Sequence, residues 1–482
     1  MATRPTIDIS FKQLAITLIQ RSERGTAILL LNDCTAKAVT TKVYKTVADI
    51  DDSIYTADNL AHIKACMTYA PYEVVAISAN SDSFSTYAPE ILKARSTGWI
   101  AAVGAGNEES IITKMYDPGN NLNELGVTFT GTSAWKNDNN VSAEYKGVTF
   151  TSAIKVQQNC EIKFTLPKNG TLTLVTYVSS TVNKQILVDG QAVTICEHDN
   201  IDTPSLVLEA GEHTITRGAN DAYLFGLCFE YTESQMQSDL ASWIKSMENA
   251  GKTYKAIGTV KGKDCKHYVY FDQTSYDNDS KEQSASAYLA SLLGIVSSCN
   301  IVQGCTNFLC TDLSLVDEVE DIDKAVAAGQ LVLTNDIGGV RIVAGINSLV
   351  TLNGNTATED MQYIETVEAM DLIRDDIRTV FKTTYQGKFK NKYKYQMLFI
   401  GAVNQYYSQL ENEDILDDEF DNKAEIDATE QRSAWVGTGK SEAEDWDDDK
   451  VKRMAFKRSV FIASNIKVLG SMENLKFTVT LE

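Results

Sequence analysis

Apolar and polar positions alternate along the last nine residues of the sequence, NLKFTVTLE, from Asn474 to Glu482. Side chains on an extended strand point alternately to its two faces, so one face of this segment carries only large apolar groups. That face consists of Leu475, Phe477, Val479 and Leu481. The pattern predicts a half-buried strand. Chain ends are usually polar and frayed, which raises the question of which sheet this strand joins.

A second alternating strand is predicted near the start of the sequence. In TIDISFKQLA, the side chains of Ile7, Ile9 and Phe11 share one face and polar side chains occupy the other. Two interpretations are open. Both terminal strands close a sheet within their own subunit, which composition alone favours, or they are arms that pair with the sheets of neighbouring copies. Burial of three or four large apolar side chains would contribute about 5 to 10 kcal/mol per arm.

The middle of the chain shows two different patterns. Residues 21–112 and 232–345 alternate buried-strand runs, such as GTAILLLND and YEVVAISA, with helical stretches, which is typical of an α/β layer. Residues 113–231 contain seven short predicted strands separated by turn residues, which is typical of a β-sandwich. We therefore expect a sandwich inserted into a loop of the α/β domain, since exposed loops tolerate insertions whose two ends lie close together.

Residues 346–482 form a third predicted region. Apolar residues at spacings of three and four predict a long helix that opens at Thr358 and Glu359. A second helix covers YKYQMLFIGAVNQYYSQL, and two strands, RSVFIASNIKVLG and NLKFTVTLE, end the chain. Together the patterns predict a multidomain α+β protein.

Length and composition are those of an ordinary globular protein. With 482 residues, 43% apolar and 23% charged, the chain is expected to fold into about two to four domains. No stretch approaches the roughly 20 apolar residues of a membrane span, and the N-terminal residues lack the features of a secretory signal. We therefore expect folding in a cytosol. Nine scattered cysteines fit neither a disulfide framework nor zinc-site spacing, so buried free thiols are expected.

The net charge of −21 argues against nucleic acid as the main partner, because phosphate binding needs a basic face. Much of this charge is local, since residues 411–449 hold sixteen Asp or Glu and only three basic residues. Just upstream, KTTYQGKFKNKYKY carries five lysines and no acid. Each stretch alone is typical of a solvated surface. Side by side in one region, they could instead be opposite faces that meet charged neighbours.

The sequence contains no motif that predicts catalysis. None of the four histidines has a local triad pattern. The stretch AWVGTGKS resembles a phosphate-binding loop, but Ala434 replaces the first required glycine and six acidic residues follow within nine positions of Lys440. We expect no enzyme activity, no cofactor and no metal site.

Several long stretches, taken in order, resemble the contractile tail sheath protein of phages and R-type bacteriocins, in the compact form of Gram-positive hosts. They are TIDISFKQLAITLIQRSERGTAILLL, GGVRIVAGINSLVTL, ETVEAMDLIRDDIRTVFKTTYQGKFKNKY and the closing strand pair. The resemblance implies an α/β outer domain (residues 21–112 and 232–345) with an inserted all-β sandwich (113–231). It also implies an α+β inner domain built from both chain termini, with residues 1–20 as N-terminal arm and residues 346–482 facing a tail tube.

The resemblance implies a function and a set of partners. Sheath subunits polymerise helically around a tail tube and contract as rigid bodies to drive the tube through a cell envelope. The implied partners are other copies of the chain, the tube protein, and baseplate and tail terminator proteins, without nucleic acid or membrane insertion. The implied location is a virion tail or headless tail-like particle assembled in the bacterial host cytoplasm.

In this family the terminal arms of one subunit complete small sheets in its neighbours. The counterparts in this sequence are Ile7, Ile9 and Phe11 for the N-terminal arm, and Leu475, Phe477, Val479 and Leu481 for the C-terminal arm. We further hypothesise that the acidic stretch takes part in charge pairing within or between subunits. Four lysines are hypothesised to lie near the tube: Lys388, Lys390, Lys392 and Lys394.

The inserted sandwich departs from the family pattern. It resembles sandwiches attached to carbohydrate-active enzymes, so the alternative function is a surface-associated glycan-binding protein. Decoration of the particle, or packing between outer domains, is the other role considered for the insert.

Overall fold

The computed structural model describes residues 19, 22, 24–104, 110–131, 142–166, 170–178, 184–195, 200–209, 211–299 and 301–480. Within these ranges the chain is a mixture of helices and strands, as the sequence predicted, and its buried apolar side chains fall into several separate clusters.

The first elements build an open sheet. They are β1 (Thr26–Asn32), β2 (Thr40–Tyr44), α1 (Ala57–Thr68), β3 (Glu73–Ala79), α2 (Phe84–Ala94) and β4 (Thr97–Gly104). The strands lie in the order β2-β3-β1-β4, and only β2 is antiparallel to its neighbour. Five consecutive buried residues in β1 follow from its central place, because both faces of a parallel strand are covered.

The next stretch is all β. Its strands are β5 (Ser110–Asp117), β6 (Leu122–Asn123), β7 (Thr128–Thr130), β8 (Ala143–Tyr145), β9 (Val148–Phe150), β10 (Ile154–Val156), β11 (Glu161–Leu166), β12 (Gly170–Val178), β13 (Lys184–Val188), β14 (Gln191–Ile195), β15 (Asn200–Asp202), β16 (Ser205–Leu208), β17 (Gly211–Arg217) and β18 (Ala222–Glu233).

These strands form two main antiparallel sheets and one hairpin. One sheet has the order β15-β12-β18-β5-β6, with β10 added to β18 and β16 to β12, and the other has the order β14-β13-β17-β11-β7. The strands β8 and β9 pair with each other. Side chains from both sheets, among them Ile162, Leu174 and Phe229, meet in one buried cluster.

The chain then returns to the first sheet. The elements are α3 (Gln235–Asn249), β19 (Thr253–Gly258), β20 (Tyr268–Tyr270), β21 (Ser275–Asp277), β22 (Glu282–Gln283), α4 (Ala285–Ser298), β23 (Leu313–Val316), α5 (Ile322–Ala327), β24 (Leu333–Asp336) and β25 (Gly339–Ile342). Strand β19 pairs in parallel with β4, and β20 with β19, so the sheet has six strands. The points of exit and return are adjacent, because the Gln237 side-chain amide donates a 2.8 Å hydrogen bond to the Ala102 carbonyl.

The last region holds α6 (Ile364–Val380), α7 (Tyr393–Asn412), β26 (Lys423–Ile426), α8 (Ala428–Val436), α9 (Asp448–Arg453) and β27 (Ile462–Asn465). Its long helix begins later than predicted. A 3₁₀ turn at Glu359–Gln362 comes first, and the extended backbone of Tyr363 separates it from α6. Helices α6 and α7 enclose a buried cluster that Ile19, from the N-terminal side of the chain, also joins.

Candidate assembly site: an open strand edge and the C-terminal segment

One edge of the two-stranded sheet β26–β27 is closed by a side chain. The Ala424 N–H donates to Asn404 Oδ1 at 2.7 Å, and the Ala424 carbonyl accepts from Asn404 Nδ2 at 3.3 Å. Backbone groups alternate in direction along a strand, so Lys423 and Glu425 direct theirs toward β27. Ser464, which lies opposite Ala424 in the register, therefore directs its own N–H and C=O away from β26.

This outward edge continues past the end of β27. The Lys467 N–H donates to the Asn422 side chain at 2.9 Å, on the inner side. Its neighbours Ile466 and Val468 therefore direct their backbone groups outward, in line with those of Ser464 and Ile462. We call the side of residues 462–468 that faces away from β26 the outer edge. Within the described ranges no strand pairs on this side, and such an edge is a template for another strand.

A groove of about 820 Å³ lies beside the outer edge. Ile466 and Val468 line it on the strand side, and Thr366 and Met370 line it on the α6 side. The side chains of Ile466 and Val468 are only partly buried against the α6–α7 cluster. A strand added to the outer edge would place alternate side chains in this groove, where apolar groups would complete the burial.

The chain that follows the outer edge is held at two points. Both carboxylate oxygens of Glu365 accept hydrogen bonds from Ser471, one from its N–H at 2.7 Å and one from its hydroxyl at 2.6 Å. Two residues later, Glu473 accepts a 2.6 Å hydrogen bond from the Thr306 hydroxyl. The direction in which residues 474–480 leave the subunit is fixed by these contacts.

The predicted strand NLKFTVTLE is not a strand in the single chain. Residues 474–480 have no strand pairing, and the side chains of Leu475, Phe477 and Val479 are 88%, 78% and 66% exposed. The prediction was wrong for the isolated subunit because a strand needs a partner that supplies hydrogen bonds, and the described part of the subunit supplies none here. The remaining predicted arm residues, Leu481, Ile7, Ile9 and Phe11, lie outside the described residues.

The four candidate tube-facing lysines lie together and are exposed. They occupy the loop before α7 and its first turn: Lys388, Lys390, Lys392 and Lys394. Within the described ranges no ion pair neutralises them. The Asn391 side chain holds the loop in place by donating to the carbonyls of Phe456 at 3.0 Å and Ser459 at 2.9 Å. The structure thus presents a local positive surface.

The acidic stretch is mostly solvent-exposed, and some of its carboxylates form ion pairs within the subunit. These pairs are Asp417–Lys467 (2.6 Å), Glu425–Lys452 (2.8 Å), Asp448–Arg432 (2.5 Å) and Glu442–Lys440 (3.5 Å). The lysine of the phosphate-loop-like stretch, Lys440, lies over the rings of Trp435 and Trp446, 5.2 and 4.9 Å from their centroids. Because that stretch begins inside α8 and its lysine packs on tryptophans, it is not a phosphate-binding loop.

A buried ionic cluster joins the six-stranded sheet to α6. Lys255 of β19 is 2% exposed, and its Nζ lies 3.0 Å from Asp371 and 3.2 Å from Glu368. His267 Nε2 lies 3.0 Å from Asp371, and the Trp99 indole donates to Glu368 at 2.6 Å. Although burial alone would raise it, the pKa of Asp371 is held well below its ordinary value by Lys255 and His267.

The buried ionic cluster was not predicted from the sequence, although Lys255 indicates it. A lysine inside a buried strand run, as in TYKAIG, needs a carboxylate partner, since unpaired lysines are almost never fully buried.

In the described ranges, no group of three His, Cys, Asp or Glu side chains could hold a metal ion. No helix in those ranges has the length and apolar content that crossing a membrane requires. The cysteines that the structure describes are free thiols.

An open strand edge and an exposed segment with the alternating pattern of a strand lie on the same chain. This combination is typical of subunits that assemble by strand addition. Comparison with known proteins identifies relatives of the chain. Residues 356–482 match the family described as phage tail sheath C-terminal domain. The tail sheath protein of Clostridium phage phiCD119 is 28% identical over 262 residues, which are 53% of this chain and 71% of the relative. These similarities confirm the resemblance to tail sheath proteins that was predicted from the sequence, and they support a structural subunit of the tail sheath type.

Two solved structures add to this comparison. The helical sheath of the anti-feeding prophage in its contracted state has a TM-score of 0.53 at 9% identity, with 100% of both chains covered, so the two share a fold. Residues 121–227 match carbohydrate binding module 77. A structure from work on glycan recognition by the Ruminococcus flavefaciens cellulosome is 28% identical and covers 25% of this chain and 96% of its own, with a TM-score of 0.21.

Proposed function

We propose that copies of this chain polymerise helically around a tail tube and contract to drive the tube through a cell envelope. The observation that carries the proposal is the combination of an open outer edge, a groove beside it and an exposed strand pattern at residues 474–480. In the polymer, the C-terminal segment of one copy adds to the outer edge of the next and fills the groove with Leu475, Phe477 and Val479. Strand addition of this kind satisfies the bare backbone groups of the edge.

Apolar burial and new hydrogen bonds favour this contact, and the ordering of the segment opposes it. Burial of three large apolar side chains contributes about 5 to 9 kcal/mol, at roughly 1.5 to 3 kcal/mol each. Each new backbone hydrogen bond adds about 1 kcal/mol, and ordering the segment costs about 1 to 2 kcal/mol per residue. A modest net gain remains per contact, and its repetition at every subunit makes a continuous mesh. The segments then act as flexible links that keep subunits connected while they rotate and slide during contraction.

The N-terminal arm is also proposed to pair with a sheet of a neighbouring copy. The face formed by Ile7, Ile9 and Phe11 has the same period of two as the C-terminal segment. Ile19, which follows this predicted arm in the sequence, is buried in the α6–α7 cluster.

The domain layout is part of the proposal. Residues 21–112 and 232–345 form the outer domain, residues 113–231 an inserted sandwich, and residues 346–482, with residues 1–20, the inner domain. The adjacent points of exit and return at Ala102 and Gln237 support an insertion. The buried cluster of Lys255 with α6 supports movement of the outer and inner domains as one rigid body.

Opposite charges are proposed to guide assembly. The exposed lysines at 388–394 face the tube, and the exposed carboxylates of residues 411–449 pair with basic groups of the same or neighbouring subunits. No nucleotide or cofactor takes part, since the work of contraction comes from packing between subunits. The particle is a virion tail or a headless tail-like particle that assembles in the host cytoplasm with tube, baseplate and terminator proteins.

Truncation tests the proposal. A chain ending at Glu473 keeps the contacts of Ser471 and Glu473 and loses only the exposed segment. We expect it to fold with an unchanged melting temperature and to remain monomeric in negative-stain micrographs at concentrations where the full chain forms tubes. Tubes of normal diameter formed by the truncated chain would contradict the proposed contact.

Glycan binding by the insert is the second candidate function, and the match of residues 121–227 to a carbohydrate binding module favours it. Because the insert ends are adjacent, a variant in which a short linker replaces residues 110–233 can keep the rest of the chain. Glycan arrays of the full chain and of this variant decide the point. Binding that disappears with the insert supports the second function, and an array without signal for the full chain contradicts it.

A further inference from the structure

The proposed polymer contact requires that the C-terminal segment does not pair with the outer edge of its own subunit. The contacts of Ser471 and Glu473 bear on this requirement, and the inference rests on the proposed function. Each copy carries both the outer edge and the segment that fits it. Only residues 469–473 connect the two, and connections of this length are common in strand hairpins. A segment that folded back would pair with its own outer edge. The edge would then be blocked, and the copy could not accept a neighbour.

We propose that Glu365 and Thr306 form a clasp that prevents this self-pairing. Glu365, at the start of α6, binds both the N–H and the hydroxyl of Ser471. Thr306 binds the carboxylate of Glu473, two residues further along. With these two points fixed, the chain cannot form the tight reversal that a hairpin needs directly after Val468. Residues 470–474 form part of the groove wall, but the 66 to 88% exposure of the three apolar side chains shows that they do not fill the groove of their own subunit.

The clasp depends on a close approach between two parts of the chain. Glu365 Oε2 lies next to Gly304, and a Cβ atom added to this glycine would come within 2.5 Å of that oxygen. A side chain at this position would push the Glu365 carboxylate away from Ser471. The absence of a side chain at Gly304 therefore allows the Glu365 carboxylate to reach Ser471. A substitution of Gly304 is a second, independent way to break this contact.

The test compares three clasp variants, Glu365→Ala, Gly304→Ala and Thr306→Val, with the wild type. Glu365→Gln is the matched control, because its amide oxygen still accepts from the Ser471 N–H. We expect the assembly-incompetent monomer fraction, measured by sedimentation, to rise several-fold in the clasp variants and to stay near the wild-type level in the control. Hydrogen exchange measured on that fraction should show backbone amides of residues 462–468 and 475–480 protected together.

Two results would overturn the clasp. One is normal polymerisation of all three variants. The other is a monomer fraction in which residues 462–468 exchange as fast as in the chain that ends at Glu473 and residues 475–480 show no protection. Thr306→Val alters a solvent-accessible contact, so it decides the question if the other variants do not fold. The proposed function fails separately, since polymerisation of the chain that ends at Glu473 would contradict the polymer contact whatever the clasp variants do.

Discussion

The side chain of Asn404 binds both backbone groups of Ala424, and it thereby takes the place of a third strand on the β26 edge. An asparagine amide carries a donor and an acceptor with the same spacing as a peptide group, so one residue can satisfy both. The backbone groups of Ala424 are thus not available to an added strand, while the outer edge on the other side is open. An open edge is the place where another strand can add.

Replacement of Asn404 by Ala should open the second edge. Two backbone groups would lose their partners, at a cost of about 1 to 3 kcal/mol for each group that stays dry. We expect a lower melting temperature and irregular, branched aggregates in place of uniform tubes in negative-stain micrographs. In Asn404→Asp the acceptor remains and only the donor is lost, so the change should be smaller. Uniform tubes from Asn404→Ala would show that this edge plays no part in assembly.

The effect of a charged substitution in the C-terminal segment on tube formation should depend on which face of the segment carries the charge. Phe477→Asp and Val479→Asp place a carboxylate where the groove needs an apolar group, and both should abolish tube formation. Thr478→Asp adds the same charge on the opposite face and serves as the matched control, with tubes expected. Because Phe477 and Val479 are exposed in the single chain, neither variant should change the melting temperature of the monomer. Equal loss of tubes in all three variants would point to charge repulsion instead of groove filling.

The sequence predicted those helices and strands whose pattern of apolar residues is set by burial within the subunit. The run of apolar residues in β1 indicated a strand buried on both faces, and the two-residue period of β11 indicated a strand buried on one face. The bonds that define the assembly site join residues far apart in the chain. Glu365 and Ser471 are 106 positions apart, and no local pattern connects them. The two-residue period of residues 474–480 showed which face of the segment is apolar. Periodicity does not show whether the same chain or a neighbouring copy buries that face.

The buried ionic cluster should carry much of the stability of the subunit. Lys255→Met would leave the carboxylates of Asp371 and Glu368 with fewer cationic partners, which typically costs about 3 to 5 kcal/mol. Lys42→Met is the matched control, since Lys42 is an exposed lysine of the same sheet, and its effect should stay within about 0.5 kcal/mol. Denaturant unfolding of the chain that ends at Glu473 measures both without interference from polymers. Equal effects of the two substitutions would contradict a structural role of the cluster.

The same cluster predicts a dependence of stability on acid. Since the pKa of Asp371 is lower in the folded chain than in the unfolded chain, the unfolded state takes up a proton first as pH falls. The stabilisation from Asp371 is therefore fully present above the unfolded pKa of about 3.9 and is lost as pH falls from there toward the folded pKa. In Asp371→Asn this part of the acid sensitivity should be missing. Unfolding free energies between pH 3 and 7 measure it, and parallel curves for wild type and variant would contradict the assignment.

Reversal of the four exposed lysines tests the tube-facing surface. We expect the variant in which Lys388, Lys390, Lys392 and Lys394 are all Glu to fail in co-assembly with the purified tube protein, because an attraction between charged surfaces becomes a repulsion. Strand addition at the outer edge does not involve these residues, so tubes formed by the variant alone should be normal. For the wild type, co-assembly should weaken as salt is raised, since screening shortens the range of surface charges to about 8 Å at physiological ionic strength. Co-assembly of the reversed variant at both low and high salt would exclude these lysines from the contact with the tube.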